Sequence, residues 1–264
     1  MIDLNFGLWW SGSKLSYLRY LTFKTLRHFH PHSRIQLFVG NKFKKDGYNW
    51  SRESFGLEQE FQNPDRIKKD YLEDLKDIGV EISHVDFFAQ YPCNYQSDFF
   101  RYWYLKNNGG FYLDTDVIIL RSFESLPLDN KLIYCEYGNY HPVGILGATK
   151  DSQIVNYIIK VLPKYYDPND YNSLGPYMMR SVMGSRNWNE GFNAPAKWFY
   201  PIPFSNTMSV LYTNDNYKIP ESSFCLHWFG GLPASQKFNR KYTEEFAKKS
   251  NDTISRFLRE KELI

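Results

Sequence analysis

Two carboxylates separated by one residue, Asp114 and Asp116, directly follow the apolar run Phe111-Tyr112-Leu113. On an extended segment residues i and i+2 face the same way, so these side chains can converge. Two hard oxygen donors on one side suit Mg²⁺ or Mn²⁺, with water and substrate phosphate completing the shell. A solvated turn after a strand would use the same residues, and an Asp-x-Asp triplet alone does not choose between the two readings. Context favours the metal, because ligands of open α/β sheets bind beyond the carboxyl ends of strands. Upstream, Asp98 and Arg101 lie three apart in Ser97-Asp98-Phe99-Phe100-Arg101-Tyr102-Trp103-Tyr104-Leu105, a segment apolar on nearly every helical face. Residues three apart share a face, and buried charges must be paired or used on a ligand. One reading is a structural ion pair. The other is that Asp98 accepts from sugar hydroxyls while the planar fork of Arg101 donates to sugar or phosphate. Of the six histidines, His227 alone sits in an apolar, strand-like run, Leu226-His227-Trp228-Phe229, ahead of Gly230-Gly231. It reads either as a packed core histidine or as a metal ligand beside Asp116.

In combination, Ser97-Asp98 with Arg101, then Gly109-Gly110-x-Tyr112-x-Asp114-x-Asp116, resemble the sugar-binding DXD region of glycosyltransferase family 32. The pattern is also similar to the clostridial toxin glucosyltransferases and, more distantly, to the family 8 galactosyltransferases. The core of the resemblance runs from Gln96 to Phe123, with weaker echoes over most of the chain. It implies a GT-A fold, a nucleoside-diphosphate-sugar donor, a divalent metal (Mn²⁺ or Mg²⁺) and retention of anomeric configuration. It places Asp98, Arg101, Asp114 and Asp116 at the chemistry, with Ser97 and Gly110 as neighbouring donor contacts. The segment from Leu226 to Gly231 resembles the family's C-terminal His motif, which makes His227 a metal ligand and Ser235 and Lys237 contacts to the diphosphate. The Ser-Trp that commonly closes that motif is missing here.

Trp9-Trp10-Ser11-Gly12-Ser13 stands where the family holds the base. A Trp there can stack on uracil or guanine, and a following helix N-terminus attracts phosphate. Period-two alternation predicts that only one of Trp9 and Trp10 faces the cleft, the other joining the core. Tyr95 and Trp228 are expected near the donor. Asn172-Ser173-Leu174-Gly175-Pro176 resembles the family's Gly-Pro turn ahead of a helix and marks an acceptor-side wall.

The elements that must position these groups follow from hydrophobic periodicity and punctuation. Strands are expected at Ile2–Trp10, Arg34–Val39, Val80–Phe87, Phe111–Leu113, Val117–Leu120, Leu132–Tyr137 and Val143–Ala148. Helices are expected from a Ser13 cap to about Phe29, over Asp65–Ile78 after Pro64, over Gln96–Asn108, over Ser152–Leu162 with Asp151 as cap, and over Lys241–Glu260. Strand–helix alternation argues an α/β fold, a Rossmann-like open mixed sheet flanked by helices. The proline-punctuated second half should be irregular and cover the site. We read residues 1–264 as one domain, with a nucleotide-sugar-binding half over about 1–125 and an acceptor-side half with a C-terminal helix over about 126–264.

Composition bounds the rest. Lys plus Arg number 32 against 29 Asp plus Glu, a net +3, too small an excess for a dedicated nucleic-acid binder. Aromatic residues make up 19% of the chain, which excludes a disordered chain and suits sugar-binding walls. Three sparse cysteines form neither a disulfide framework nor a zinc site. The first ten residues lack a basic region, so no signal peptide is expected. No apolar run approaches the ~18 residues of a membrane span. The expected setting is cytoplasmic, at the inner face of a membrane if the basic and aromatic residues near the C-terminus make peripheral contact. The predicted partners are a nucleotide-sugar donor and a glycan or lipid-linked acceptor, with no nucleic acid. Two rival functions use the same residues: a non-catalytic carbohydrate-binding protein and a metal-dependent nucleotide-sugar hydrolase.

Overall fold

The wholly buried run Phe6-Gly7-Leu8-Trp9-Trp10 forms β1 (Phe6–Trp10), near the centre of the main sheet. The protein is seen here as a computed structural model that describes residues 1–12, 14–40, 67–213 and 217–264, with the Met208 side chain left out. The remaining strands are β2 (Ile35–Gly40), β3 (Glu81–Val85), β4 (Gly110–Leu113), β5 (Val117–Ile119), β6 (Leu132–Cys135), β7 (Ile145–Ala148), β8 (Gly191–Ala194) and β9 (Cys225–His227). Seven of them make one sheet in the order β3-β2-β1-β4-β7-β6-β8. β3, β2, β1 and β4 run parallel, β7 is antiparallel to both β4 and β6, and β8 is parallel to β6. The open mixed sheet expected from the sequence is the one observed.

Alternation along β1 sends neighbouring side chains to opposite faces. Phe6, Leu8 and Trp10 join a core with Leu37, Phe111 and Leu113, whereas Trp9 packs with Phe38, Phe100 and Tyr112. Burying each such side chain contributes roughly 1.5–3 kcal/mol. The second face is covered by the helix Cys93–Asn108, which packs against the helix Gln153–Tyr165. β5 and β9 form a separate antiparallel pair that leans on the helix Tyr17–Phe29. The register of that pair sets Val117 opposite His227, and so brings the histidine beside Asp116.

Several boundaries differ from expectation, each for a local reason. β1 starts at Phe6 rather than Ile2, because the Ile2 N–H is taken by Leu128 O at 2.7 Å, away from the sheet. The first helix is capped by Ser16, whose side chain accepts from the Arg19 N–H. Ser13, Pro64 and Asp65 lie outside the described residues. Of the helix expected up to Ile78, the described part is a single turn, Asp74–Asp77. Ser152, not Asp151, caps Gln153–Tyr165, because Asp151 is engaged by Lys131 and Thr149. The single helix expected over Lys241–Glu260 is two, Glu244–Lys249 and Thr253–Glu260, and a separate helix, Pro233–Lys241, precedes them. Thr243 and Asp252 accept from backbone N–H groups at the starts of the last two, which breaks the run.

Candidate active site

β4 ends at Leu113, and the chain turns through Asp114-Thr115-Asp116 before β5. The carboxylates therefore stand on a turn, not on an extended strand, and converge because the turn is held from three sides. Asp114 N–H donates to Gly144 O at 2.7 Å. Thr115 is gripped by the first helix: Arg19 Nη1 donates to its hydroxyl and Thr22 Oγ1 to its carbonyl, both at 2.8 Å. Asp116 O accepts from Trp228 N–H at 2.9 Å, and Asp116 Oδ2 accepts from Gly230 N–H at 2.6 Å.

His227 completes a triad. Its Nε2 lies 3.3 Å from Asp116 Oδ1 and 3.7 Å from Asp114 Oδ2. Phe229 N–H donates to Nδ1 at 3.1 Å and so aims Nε2 at the carboxylates. Burial disfavours an imidazolium at His227, but the charges of Asp116 and Asp114 overcome it and raise the pKa. Among the described residues these are three side chains whose ligand atoms lie within 4.8 Å of one another. Gly144 keeps the space between them open: a Cβ there would fall 2.6 Å from Asp114 Oδ2 and 2.9 Å from His227 Nε2. Two hard carboxylates with one imidazole, around space that only glycine leaves, fit a Mn²⁺ or Mg²⁺ ion.

Beside the triad runs a buried charge chain. Arg101 Nη2 lies 3.0 Å from Asp98 Oδ1 and 3.6 Å from Asp114 Oδ1. The Tyr112 hydroxyl donates to Asp114 Oδ1 at 2.5 Å, and Arg101 stands over the Tyr112 ring. Burial opposes the charge on Asp114, yet Arg101 and His227 hold its carboxyl well below the usual carboxylate range. Asp98 goes the other way: burial pushes it up to about 7 even with Arg101 alongside. Burial works against Arg101 too, but Asp98 and the groups around it keep it firmly charged. All these groups line one cavity of about 550 Å³, a size suited to a small ligand.

Residues 20–133 match the family of the glycosyltransferase sugar-binding region containing a DXD motif, and the matched segment includes the Asp114-Thr115-Asp116 turn. The chain is a glycosyltransferase carrying a DXD sugar-binding region. An uncharacterized glycosyltransferase of Acanthamoeba polyphaga mimivirus is 24% identical over 203 residues, which cover 70% of this chain and 76% of that one. Among solved structures, the PaToxG glycosyltransferase superposes with a TM-score of 0.50 at 19% identity, covering 70% of this chain and 68% of the other. The glycosyltransferase GlyE of Streptococcus pneumoniae TIGR4 gives 0.51 at 14% identity, covering 85% and 55%. The sheet and these likenesses agree on the GT-A fold.

In this glycosyltransferase the structure brings Ser97, Asp98, Arg101, Asp114, Asp116 and His227 to the one cavity. Both Trp9 and Trp10 contribute to its wall, although alternation allowed only one, because the cavity opens where β1 ends. Trp9 Nε1 is fixed on Ser11 Oγ at 2.7 Å, and Trp10 lies under the Arg19 guanidinium at 4.6 Å.

Five predicted contacts lie elsewhere. Gly110 sits at the far end of β4, where its φ of +84° and a would-be Cβ 2.4 Å from Asn5 O demand glycine for the helix-to-strand turn. Tyr95 is buried, and its hydroxyl donates to Asp167 O at 2.9 Å. Trp228 is wholly buried beneath Arg19, and Ser235 is spent on Trp228 O at 2.9 Å. Lys237 lies in a separate surface concavity with Lys68 and Arg240.

Sequence reasoning missed Arg19, Thr22, Gly144 and Tyr200. Tyr200 lines the cavity, and its ring centroid is 5.5 Å from that of His227. Arg19 and Thr22 carry no local signal, because their partner Thr115 is more than ninety positions away. Gly144 was readable only as one glycine inside an apolar run.

Proposed function

We propose that the chain moves a hexosyl unit from a nucleoside-diphosphate sugar, a UDP-sugar before a GDP-sugar, to the hydroxyl of a glycan or lipid-linked saccharide, with a divalent metal and retention. The observation that carries this reading is the convergence of Asp114, Asp116 and His227 on space kept open by Gly144. These three residues would hold Mn²⁺ or Mg²⁺, and such an ion supplies Lewis-acid stabilisation of the charge growing on the departing diphosphate. Arg101 keeps Asp114 ionised, so the ligand set carries negative charge at working pH. Asp98 lines the cavity beside Arg101 and would accept from sugar hydroxyls. Arg101 is locked in place by two carboxylates and can present further N–H groups to the donor. Trp9, Trp10 and Ser97 line the same cavity, where the tryptophans would take the base and Ser97 would contact the donor.

In the reaction the acceptor oxygen bonds to the anomeric carbon. The bond to the diphosphate oxygen breaks, its electron pair leaves with the diphosphate, and the acceptor proton passes to a donor phosphate oxygen. Residues 1–125 then form the donor half, and residues 126–264 supply the acceptor side together with His227.

No helix among the described residues is long and apolar enough to cross a membrane. As part of the same proposal, the protein would act in the cytoplasm, with peripheral contact at the inner membrane face as its route to a lipid-linked acceptor. The test is nucleotide release from a panel of UDP- and GDP-sugars with Mn²⁺, with and without acceptor glycans. Release that rises with acceptor supports transfer. Release at full rate without acceptor would make the protein a hydrolase, and no release from any donor would leave a binding protein.

A further inference from the structure

Among the described residues seven large apolar side chains are exposed, and four of them, Tyr137, Tyr140, Tyr171 and Phe204, line the one cavity that holds the Asp114 turn. Single exposed aromatics are ordinary; their concentration at one mouth is not. Tyr137 and Tyr140 are 52% and 41% exposed and sit on a tight hairpin, where each donates its backbone N–H to the other's carbonyl, at 2.7 and 3.0 Å. Gly138 makes that turn with φ +60°. The Tyr140 hydroxyl donates to Asn172 Oδ1 at 3.1 Å, which ties the hairpin to the turn before Pro176. Across the mouth Phe204 is 49% exposed and meets Phe229 edge-on at 5.5 Å, and Phe229 packs 4.5 Å from the His227 ring. The aromatic wall is therefore continuous with the triad.

Charge divides the same cavity. Its formally charged lining groups, Arg19, Asp98, Arg101, Asp114 and Asp116, all precede residue 126, and His227 stands among them. The wall built from residues 137 to 204 contributes no charged side chain. A phosphate-bearing or carboxylate-bearing ligand would find no counter-charge there. A sugar ring finds flat apolar faces for its C–H surface, and phenolic and amide groups for its hydroxyls.

We propose that this wall is the acceptor subsite and that it takes an uncharged pyranose ring, stacked at Tyr137 and Phe204 with hydroxyls directed to Tyr140 and Asn172. The proposal rests on the donor reading above and adds which half of the cavity selects the acceptor, and by what chemistry.

The test is direct binding to the full chain held with Mn²⁺ and UDP, by saturation-transfer NMR and tyrosine fluorescence. The probes are methyl glucoside, methyl galactoside, methyl mannoside, methyl glucuronoside and a short tyrosine-containing peptide. At least one neutral glycoside should bind wild type. Its Kd should rise at least tenfold in the Tyr137→Ala, Phe204→Ala double variant and stay near wild type in Tyr137→Phe, the scale expected for loss of aromatic anchors. Equal binding by wild type and double variant overturns the proposal. So does the absence of binding by every neutral glycoside, or preference for the glucuronoside or the peptide. The donor reading is judged separately by titrating Mn²⁺ and UDP alone: a chain that binds the glycosides but neither of these keeps the wall and loses the donor site.

Discussion

Asp114 and Asp98 are the same residue type beside the same guanidinium, and their environments separate them. Asp114 gains Arg101, His227 and the Tyr112 hydroxyl and is held ionised. Asp98 is buried more completely and titrates near 7. Asp114→Asn keeps the volume and removes the charge. Transfer should fall roughly 100-fold or more, as when one preorganised electrostatic contact is deleted, with circular dichroism unchanged. Gly144→Ala tests the same space by filling it, since the new methyl would lie 2.6 Å from Asp114 Oδ2. Mn²⁺ affinity measured by calorimetry should drop about 10- to 100-fold, the range seen when groups around metal ligands are altered. Unaltered affinity in Gly144→Ala would place the ion elsewhere.

The elements that carry these residues were unequally legible. The helix Cys93–Asn108 and strand β4 stand out in sequence because aromatic runs end at Gly109-Gly110, and the structure keeps the pair with shifts of a few residues at their ends. The carboxylate pair and His227 were legible by type and context. What fixes them was not, because it is long-range: Arg19 and Thr22 reach Thr115 from the first helix, and β9 reaches His227 to the turn by pairing with β5. A local pattern holds no trace of such partners. The C-terminal break was missed for the opposite reason, since caps such as Asp252 resemble ordinary polar helix positions until their side chains turn back on the backbone. Arg19→Met should lower unfolding free energy by about 1–3 kcal/mol in urea titration, from the lost buried hydrogen bond and its stacking on Trp10. Asp252→Ala should cost about 1 kcal/mol as a lost N-cap. An unchanged midpoint there would mean that the last two helices act as one.

Across the whole molecule, the insertion of β7 between β4 and β6 turns the parallel set β3-β2-β1-β4 into a mixed sheet, and side chains between residues 137 and 204 line the cavity of the Asp114 turn. Strand order of this kind cannot be read from periodicity, which reports faces and not neighbours. The aromatic excess divides accordingly, mostly into the core clusters and in part onto the cavity mouth.

One buried group ties the fold to pH. His30 lies between Phe6 and Phe123, its Nε2 accepts from Phe123 N–H at 3.2 Å, and burial pushes its pKa down to about 4. The unfolded chain titrates near 6.5. Above that pH both states are neutral there and the full stability is present. As pH falls below 6.5 the unfolded state takes a proton that the folded state refuses until about 4, so stability declines across that window. The loss is on the order of 3 kcal/mol at most, readable in urea midpoints at pH 7, 5.5 and 4.5. His30→Gln should flatten that slope; an identical slope in the variant would assign it to other groups.

The proposed donor site of Asp114, Asp116 and His227 stands or falls with its metal dependence. It is tested most directly by calorimetric titration of UDP into the wild-type chain and into Asp116→Asn, each with Mn²⁺ and with EDTA. Binding is expected only by wild type with Mn²⁺. UDP binding of equal strength in EDTA, or in Asp116→Asn, would contradict it.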